Sequence, residues 1–366
     1  MNKQHDVRAV ARQFEFQGEV REFAPYGNGH INDTYLVSCG DAGAPMRYIL
    51  QLINRHVFHD PIAVMHNIER VTAHLAAQID SEPDKTGGPR RVPRLIPTRN
   101  GRAWYTDADG GTWRAYSFVE GTRAYETAES AKLAYQAARA FGRFQQQLAS
   151  LPPPRLLETI PNFHNTPARF AALKQAIDAD VAHRVSNAGP EIDFALAHEA
   201  ITGVLLDANL PERTTHNDTK LNNVLFDEAT GEGVCVIDLD TVMPGLAPYD
   251  FGDMVRTTTS AAAEDEQDLR KVGMQFAMFE ALVRGYLDAA GMFLTKEEKE
   301  FLAFSGKLIT FETGIRFLAD YLAGDTYFKV HREGHNLDRC RTQFKLVESI
   351  EHQEEAMNRL VASIAG

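Results

Sequence analysis

Residues 216–240 read HNDTKLNNVLFDEATGEGVCVIDLD, and this stretch decides how the rest of the chain is interpreted. Its two short apolar runs, VLF and VCVI, flank a glycine-containing turn, which predicts a β-hairpin. Asp218 and Asn223 precede the first strand, and Asp238 ends the second. Because antiparallel pairing brings the end of the second strand back beside the start of the first, we expect these three side chains to converge. Oxygen ligands of this kind suit Mg²⁺, which takes few protein ligands and completes its shell with phosphate and water.

The hairpin lies inside a helical half of the chain, whereas the first third has strand patterns. Two extended stretches surround a turn in EVREFAPYGNGHINDTYLVSCG, RYILQLI alternates as a third strand, and GRAWYTD with TWRAYSFVE reads as another hairpin. Between them, Asp60-Pro61 has the capping and first-turn residues that begin a helix. Helical spacing then recurs over residues 134–148, 167–185, 191–207, 261–290, 296–323 and 340–364. We therefore predict an α+β protein, with a small antiparallel-sheet domain over residues 1–118 and a larger, mostly helical domain over residues 119–366.

The composition excludes several classes of protein. The 366 residues include 38 Lys and Arg against 50 Asp and Glu, a net charge of −12, which argues against a coat for nucleic acid or an anionic membrane. Cys39, Cys235 and Cys340 are far apart, so neither a disulfide framework nor a thiolate zinc site is indicated. The sequence has no signal-peptide pattern and no apolar stretch long enough to span a bilayer. We expect a reduced, cytoplasmic protein that binds small molecules and neither nucleic acid nor a membrane.

The spacing His216-x-Asp218-x-Lys220-x-x-Asn223 resembles the H-x-D-x-K-x-x-N loop of the protein-kinase-like superfamily, in its aminoglycoside phosphotransferase branch. The resemblance implies a bilobal fold that uses ATP and Mg²⁺. It implies that Asp218 is the base for the acceptor hydroxyl and that Lys220 neutralises the transferring phosphoryl group. Asn223 and Asp238 would hold the metal. The plain alternative is a loop whose Asn and Asp side chains satisfy turn backbone groups.

Two further aspartates of this region keep two interpretations each. Asp250-Phe251-Gly252 spells the kinase metal motif, but it lies 27 residues after Asn223, beyond the return strand. We interpret Asp250 either as a helix N-cap or as an anchor that accepts backbone N–H groups from the 216–223 loop. Asp240 is either a carboxylate that faces the substrate or a turn residue.

The first glycine-containing turn is a candidate phosphate-binding loop. Gly27 and Gly29 would let the backbone approach the ATP phosphates, as in the kinase Gly-rich loop, although Gly-Asn-Gly is also a common hairpin turn. His30 and Asn32 follow directly and could donate hydrogen bonds to phosphate or substrate. A solvated histidine is the alternative at position 30.

The nucleotide half departs from the kinase pattern on its third strand. A lysine for the α- and β-phosphates is expected there, but RYILQLI offers Gln51, which could bond to Glu69 on the following helix. Phosphate anchoring must then rest on the metal, on loop amides, and on Arg47 or Lys220. The segment 115–121 fits the hinge that binds adenine, with Tyr116 or Phe118 packed on the base. Ordinary core packing is the alternative for both rings.

Blocks in a fixed order resemble bacterial N-acetylhexosamine 1-kinases, which phosphorylate the anomeric hydroxyl of GlcNAc or GalNAc. They include PYGNGHINDTYLV, RYILQ, FHNTPARF, GPEIDF, THNDTKLNN, IDLDTVMPG, DFGDMVR and RFLADYLAGDTYF. The resemblance implies that Arg316 and Tyr327 contact the sugar, together with Asp218 and Asp240. By their positions alone, Arg316 could pair with Asp320 four residues on, and Tyr327 could simply pack at a helix end.

Two other functions stay open at this point. A kinase of the same fold could act on another sugar, an amino alcohol or an aminoglycoside. The missing third-strand lysine also prompts a nucleotide-binding regulator without catalysis, although Asp218, Asn223 and Asp238 are all present. Turnover of ATP with any acceptor would exclude the regulator.

Overall fold

A computed structural model describes residues 5–27, 31–40, 45–81 and 91–365. The chain divides into two compact units. The smaller unit comprises Met1–Thr122, Leu151–Pro161 and Val234–Met243, and the larger unit comprises Arg123–Ser150, Asn162–Gly233 and Pro244–Gly366. The division at residue 118 that the sequence suggests stays a prediction.

An antiparallel sheet forms the framework of the smaller unit, with its strands in the order β1-β2-β3-β5-β4. The strands are β1 (Val20–Pro25), β2 (Asp33–Cys39), β3 (Met46–Leu52), β4 (Tyr105–Thr106) and β5 (Thr112–Ser117). Helices α1 (Val7–Ala11) and α2 (Pro61–Ser81) accompany the sheet. The predicted third strand, the hairpin of β4 and β5, and the helix that starts at Pro61 are confirmed.

Side chains of one sheet face form the core of this unit. Val37, Leu50, Trp113 and Ala115 are fully buried there, as the alternation of their strands requires. At the start of α2, Asp60 Oδ1 accepts the N–H groups of the second and third helical residues at 3.1 and 3.0 Å, as a capping residue does.

Register between strands places three polar side chains side by side. Gln51 of β3 is paired with Thr34 of β2 on one side and with Arg114 of β5 on the other. Directly opposed residues of antiparallel strands share a face, so these side chains are neighbours by construction.

Helices build the larger unit. They are α3 (Ala131–Leu148), α4 (Thr166–Ala179), α5 (Gly189–Ala197), α6 (Val204–Asp207), α7 (Ala247–Thr258), α8 (Phe276–Ala290), α9 (Lys296–Glu300), α10 (Leu302–Leu322) and α11 (His335–Ala365). Phe170, Leu173, Phe311 and Phe344 belong to a buried cluster that joins α4, α10 and α11. The α+β class predicted from the sequence is thus confirmed.

Short strands interrupt the helices: β6 (Thr122–Arg123), β7 (Arg213–Thr215), β8 (Val224–Asp227), β9 (Gly233–Val236) and β10 (Met243–Gly245). Strand β7 pairs with β10, and β8 pairs with β9 as the sequence predicts. In the turn after β8, the N–H of Gly231 donates to the carbonyl oxygen of Asp227 at 2.8 Å.

Four helix predictions are wrong in part. The helix predicted over 167–185 ends at Ala179, because Asp180 is left-handed with a φ of 36°, and the helix predicted over 296–323 is divided at Phe301 into α9 and α10. The stretch 261–275 is not helical apart from a 3-10 turn at Leu269–Lys271, and α8 begins only at Phe276. Its acidic residues form ion pairs instead, with Glu264 3.2 Å from Arg256 and Asp265 3.3 Å from Arg332, so tertiary contacts override the local periodicity. The predicted helix over 191–207 is broken into α5, a 3-10 turn and α6.

Across the described ranges, none of the helices has both the length and the apolar surface that crossing a bilayer requires.

Candidate functional site

The loop between β7 and β8 brings three of the predicted catalytic residues together in the larger unit. Lys220 Nζ lies 2.9 Å from Asp218 Oδ1. Asn223 Nδ2 donates to the carbonyl oxygen of Asp218 at 2.8 Å and to its Oδ2 at 3.2 Å. A 3-10 turn at Leu221–Asn223 closes the spacing, so that residues five apart in sequence contact each other directly.

The charges around Asp218 keep its carboxylate ionised. Burial acts to raise the pKa of Asp218, but Lys220, His216 and Arg256 outweigh burial and lower the pKa below its ordinary value. The same attraction to Asp218 raises the pKa of Lys220. An ionised carboxylate beside a cation can accept a hydrogen bond from a hydroxyl group and take its proton late in the reaction.

Asp250 anchors this loop. Its Oδ1 accepts the N–H of Asn217 at 2.7 Å, and its Oδ2 accepts the N–H of His216 at 2.9 Å and a side-chain hydrogen bond from Gln145 at 2.5 Å. The anchor interpretation is therefore confirmed. The N-cap interpretation is wrong, because α7 begins at Ala247 after a cap at Leu246.

The rest of the Asp-Phe-Gly motif serves helix packing. Phe251 is fully buried, and a Cβ added at Gly252 would lie 2.4 Å from the carbonyl oxygen of Ser305 on α10. Asp253 also holds the loop, since its Oδ2 accepts the N–H of Thr219 at 2.7 Å. This motif, inside α7, thus supports the loop that carries Asp218.

Arg316 and Tyr327 lie at an aromatic wall of the larger unit. The Arg316 guanidinium stands 5.1 Å from the ring centre of Phe163 and 5.8 Å from that of Phe328. The Tyr327 ring packs edge-on against Phe328 at 4.8 Å. Both predicted sugar contacts therefore share one neighbour, Phe328.

Asp320 does not pair with Arg316, although it lies four residues along the same helix. Its Oδ1 accepts the N–H groups of Thr326 and Tyr327 at 2.9 and 2.8 Å, and its Oδ2 accepts that of Phe328 at 3.0 Å. Within the ranges that the structure describes, Arg316 has neither a hydrogen bond nor an ion pair. Asp320 thus orders the segment that carries Tyr327 and leaves the Arg316 guanidinium available to a ligand.

His164 and Glu312 are neighbours of this wall that the residue patterns did not single out. His164 Nδ1 lies 2.8 Å from Glu312 Oε1, and His164 Nε2 lies 3.2 Å from the carbonyl oxygen of Asn217. The block FHNTPARF contained the signal, because His164 follows Phe163 directly. No pattern in the sequence pairs it with Glu312, nearly 150 residues later.

A buried polar network occupies the centre of the smaller unit. Arg114 Nε donates to Gln51 Oε1 at 3.0 Å, and its Nη1 forms an ion pair with Asp240 Oδ1. Gln51 Nε2 donates to Thr34 Oγ1 at 3.1 Å, and Asn32 Nδ2 donates to Asp240 Oδ2 at 2.6 Å. Within the described ranges, Glu69 is not a partner of Gln51, so that possible contact is not formed.

Arg114 is the residue that the sequence reasoning missed on the nucleotide side. Burial by itself would lower its pKa, but the carboxylates of Asp240 and Asp238 raise it overall, so the guanidinium stays charged. A charged residue in the middle of the apolar strand TWRAYSF was the available signal. Asp240, predicted to face the substrate, is buried and directs its carboxylate at Arg114 and Asn32.

The predicted adenine-binding residues have partners in the smaller unit. Tyr116 lies 5.4 Å from the Arg114 guanidinium, and Phe118 lies 4.0 Å from that of Arg47. Tyr26 packs edge-on against Phe118 at 5.9 Å. Gly27 has a φ of 73°, which favours glycine. Gly29 and His30, the other predicted residues of this loop, lie outside the described residues.

The predicted metal ligands have chemistry that fits Mg²⁺. The side-chain amide nitrogen of Asn223 donates both of its hydrogen bonds to Asp218. Oδ1 of Asn223 is therefore the atom that can bind a cation. Asp238 follows β9 with a φ of 60°, and its side chain is exposed. Carboxylate and amide oxygens are hard ligands of the kind that Mg²⁺ takes. Asn223 and Asp238 belong to different units, and their convergence stays a prediction.

Comparison with known proteins places the chain in a family. A family model described as the phosphotransferase enzyme family (APH) matches residues 22–292. An aminoglycoside phosphotransferase from Alicyclobacillus acidocaldarius has a similar structure, with a TM-score of 0.64 at 13% identity over 99% of this chain and 98% of that chain. A microcompartment-associated aminopropanol kinase gives 0.58 at 18% identity, over 96% and 98%. A choline kinase from Cryptosporidium parvum gives 0.56 at 14% identity, over 98% and 99%.

These similarities confirm the protein-kinase-like fold of small-molecule kinases that the loop around Asp218 suggested, and the match over residues 22–292 covers most of the chain. The chain belongs to the APH phosphotransferase enzyme family.

Proposed function

We propose that this protein transfers the γ-phosphoryl group of ATP to the anomeric hydroxyl of an N-acetylhexosamine, GlcNAc or GalNAc, and releases the hexosamine 1-phosphate and ADP. The observation that carries the proposal is the Arg316 guanidinium, which lies over two aromatic rings beside Tyr327 and forms no hydrogen bond or ion pair with the described residues. A site of this kind suits an uncharged acceptor that offers a carbonyl or hydroxyl oxygen.

Charge near Arg316 disfavours cationic acceptors. Burial and the neighbouring Arg316 lower the pKa of Arg169, which shows that two guanidinium groups share this region. The nearby carboxylate of Glu312 is occupied by His164 and by Thr166, whose Oγ1 donates at 2.6 Å. Aminoglycosides, aminopropanol and choline are cations, and a site for them needs free carboxylates or an aromatic cage without arginine. The acceptor therefore differs from those named for the structural relatives.

Each residue of the catalytic loop has a part in the proposed reaction. Asp218 orients the acceptor hydroxyl and accepts its proton late, while Lys220 stabilises charge on the transferring phosphoryl group. Asn223 and Asp238 would hold Mg²⁺, which would supply positive charge to offset that of the ATP phosphates. Asp250 keeps the loop in place through its backbone N–H groups.

The nucleotide would be held by the smaller unit. Gly27, Gly29, His30 and Asn32 would cover the phosphates, and Tyr116 and Phe118 would pack near adenine. Gln51 and Arg114 lie in the region where kinases have their phosphate-binding lysine. The Arg114 guanidinium already forms an ion pair with Asp240. The Asp240 carboxylate is buried and accepts a hydrogen bond from Asn32. We therefore propose that Asp240 acts on the acceptor indirectly, through Asn32.

The test is ADP release from Mg²⁺-ATP with a panel of GlcNAc, GalNAc, glucose, galactose, choline, homoserine and kanamycin, with product position read by ³¹P NMR. We expect turnover with the N-acetylhexosamines and an anomeric phosphate. Turnover confined to a cationic acceptor would refute the acceptor assignment and keep the kinase chemistry. ATP binding without turnover with any acceptor would favour the non-catalytic regulator.

Two variants separate the base from the acceptor contacts. Asp218→Asn should keep the melting temperature and lower kcat by orders of magnitude, because the hydroxyl loses its base. Arg316→Met should raise the KM for the acceptor about tenfold to hundredfold and leave the KM for ATP unchanged, since one charged hydrogen-bond donor is lost. Arg8→Met is a matched control, because Arg8 also lies over an aromatic ring, Phe23, but in the smaller unit.

A further inference from the structure

Residues 163–170, FHNTPARF, have no part in the proposed chemistry, yet they contact two of its components. Phe163 packs under Arg316, and Thr166 Oγ1 donates to Glu312 Oε2 at 2.6 Å. Between them, His164 touches the catalytic loop and Glu312 at the same time. This segment therefore lies between the base and the acceptor wall.

Both ring nitrogens of His164 face atoms that can only accept hydrogen bonds. Nε2 faces the carbonyl oxygen of Asn217 at 3.2 Å, and Nδ1 faces the carboxylate of Glu312 at 2.8 Å. Burial acts to raise the pKa of Glu312, but His164 and Arg316 outweigh it, so this carboxylate is ionised and fully buried. The imidazole therefore joins two hydrogen-bond acceptors through its two ring nitrogens.

The carbonyl that His164 holds belongs to the peptide group that carries the N–H of Asp218, and this peptide group is planar. Asn217 has a φ of 64°, its N–H donates to Asp250, and its Oδ1 accepts a hydrogen bond from Thr215 at 2.9 Å. Holding the carbonyl as well determines the plane from which the Asp218 side chain emerges. His164 thus contributes directly to the direction in which the base points.

The other partner of His164 lies on the acceptor helix. Glu312 is four residues before Arg316 in α10, so the two side chains lie on one face of the helix. A single imidazole therefore connects the peptide of the base with the helix turn that carries the proposed acceptor contact.

We propose that His164, which bridges the Asn217 carbonyl oxygen and Glu312, is a positioning residue that aligns Asp218 with the acceptor held at Arg316. This inference rests on the proposed function, because it assigns the alignment that the phosphoryl transfer requires. The other titratable side chain against the ring is Tyr249, 5.1 Å away on α7, whose pKa burial and Glu312 raise, so it stays neutral. Arg169 and Arg316 are the cations that interact with Glu312.

Glu312→Gln tests the other end of the bridge, because it replaces the carboxylate that faces His164 Nδ1 at 2.8 Å with a neutral amide. The charge-assisted contact is lost, so we expect kcat to fall and the KM for ATP to stay unchanged.

His164→Gln tests the alignment itself, since glutamine can keep one of the two contacts but not both. We expect kcat to fall about tenfold or more and the KM for ATP to stay unchanged, because misplacement of a reacting group slows the chemical step. An unchanged kcat in both variants would overturn the proposal. Should His164→Gln fail to fold, Glu312→Gln decides the matter through its kcat.

His198 offers a matched control in the same unit. Its Nδ1 lies 2.8 Å from the carbonyl oxygen of Phe194, and its Nε2 lies 3.2 Å from Glu351 Oε1. His198→Gln and Glu351→Gln make the same chemical changes at a pair that touches neither the loop nor α10's Arg316. Equal effects of the changes in both pairs on kcat would show a general loss of structure and overturn the positioning role.

Amide ¹⁵N–¹H NMR provides a readout that does not depend on turnover. We expect His164→Gln to shift the backbone amide signal of Asp218, because the peptide group that carries this N–H loses its contact with the ring. An unshifted Asp218 amide would overturn the proposal even if the protein is an active kinase. Conversely, absence of ATP-dependent phosphorylation in the wild-type protein, with the Asp218 amide shifted in the variant, would refute the proposed function and the alignment with it.

Discussion

Removal of the Arg114 guanidinium should destabilise the smaller unit more than any change at its surface. The Arg114 and Asp240 side chains are only 1% and 3% exposed. Truncation of one partner of a buried ion pair leaves the other charge uncompensated, which costs about 3–5 kcal/mol of unfolding free energy. Arg114→Met also removes the donor to Gln51 Oε1, so we expect a loss at the upper end of this range.

Tryptophan fluorescence during urea unfolding measures this loss selectively. The chain contains two tryptophans, and both Trp104 and Trp113 belong to the smaller unit. Trp113 is fully buried and is next to Arg114 in β5, so its emission reports the unfolding of the strand that carries the substitution.

A double-mutant cycle separates the ion pair from other effects of the substitution. Arg114→Met with Asp240→Leu replaces both charges, so the double variant should regain most of the unfolding free energy that Arg114→Met loses. About 1 kcal/mol should stay lost, because the Asn32 side-chain donor no longer has its acceptor. Arg94→Met is the control, because its partner is Asp80 at 3.9 Å and the two side chains are 65% and 70% exposed. It should cost less than about 1 kcal/mol. The reasoning is refuted if Arg114→Met costs no more than Arg94→Met, or if the losses of the two single variants simply add.

Three further predictions concern the larger unit and the proposed metal site. Lys220→Met should move the acid limb of the kcat/KM profile to higher pH. The variant loses the cation that lowers the pKa of Asp218, whereas the burial that raises this pKa remains. An acid limb at the same pH in the variant and in the wild-type protein would contradict this prediction. Asn223→Ala and Asp238→Asn should each raise the Mg²⁺ concentration for half-maximal turnover at saturating ATP, and an unchanged Mg²⁺ dependence in both would remove them as ligands. Gly252→Ala should lower the melting temperature by several degrees, because the new Cβ would meet the backbone of α10 at 2.4 Å. Gly189→Ala, with open space at the Cβ position, should change the melting temperature much less. Equal melting temperatures of the two variants would contradict the prediction, because they would mean that α7 and α10 can move apart without a loss of stability.

Local patterns predicted the elements that are stabilised by their own neighbours in sequence. The alternation in RYILQLI, the Asp60 cap and the hairpin after Asn223 all appear as expected, because each depends on contacts within a few residues. The helix expected over 261–290 failed in its first half for the opposite reason. There, distant arginines pair with Glu264 and Asp265 and hold the segment outside a helix.

The candidate site divides in the same way. Residues five apart in one loop, such as Asp218 and Asn223, could be assigned to one site from their spacing, because a short turn leaves them few other arrangements. From the sequence, Asp250 could be proposed as a loop anchor, but this role could not be distinguished from that of a helix cap. Both roles use the same side chain and differ only in where α7 begins. The helix start at Ala247 decided between them.

The sequence by itself determined the fold class, the proximity of Asp218, Lys220 and Asn223 in one loop, and the family, because these depend on residue types at short, fixed spacings. Only the tertiary structure showed that Arg114 stands beside Gln51 and that His164 bridges Asn217 and Glu312. The contact of Arg114 with Gln51 follows from strand register, and the contacts of His164 follow from the packing of α10. Neither set of contacts produces a periodic pattern in the sequence. Contacts between residues far apart in sequence are selected by the free energy of the whole packed unit, so they become visible only once that unit is assembled.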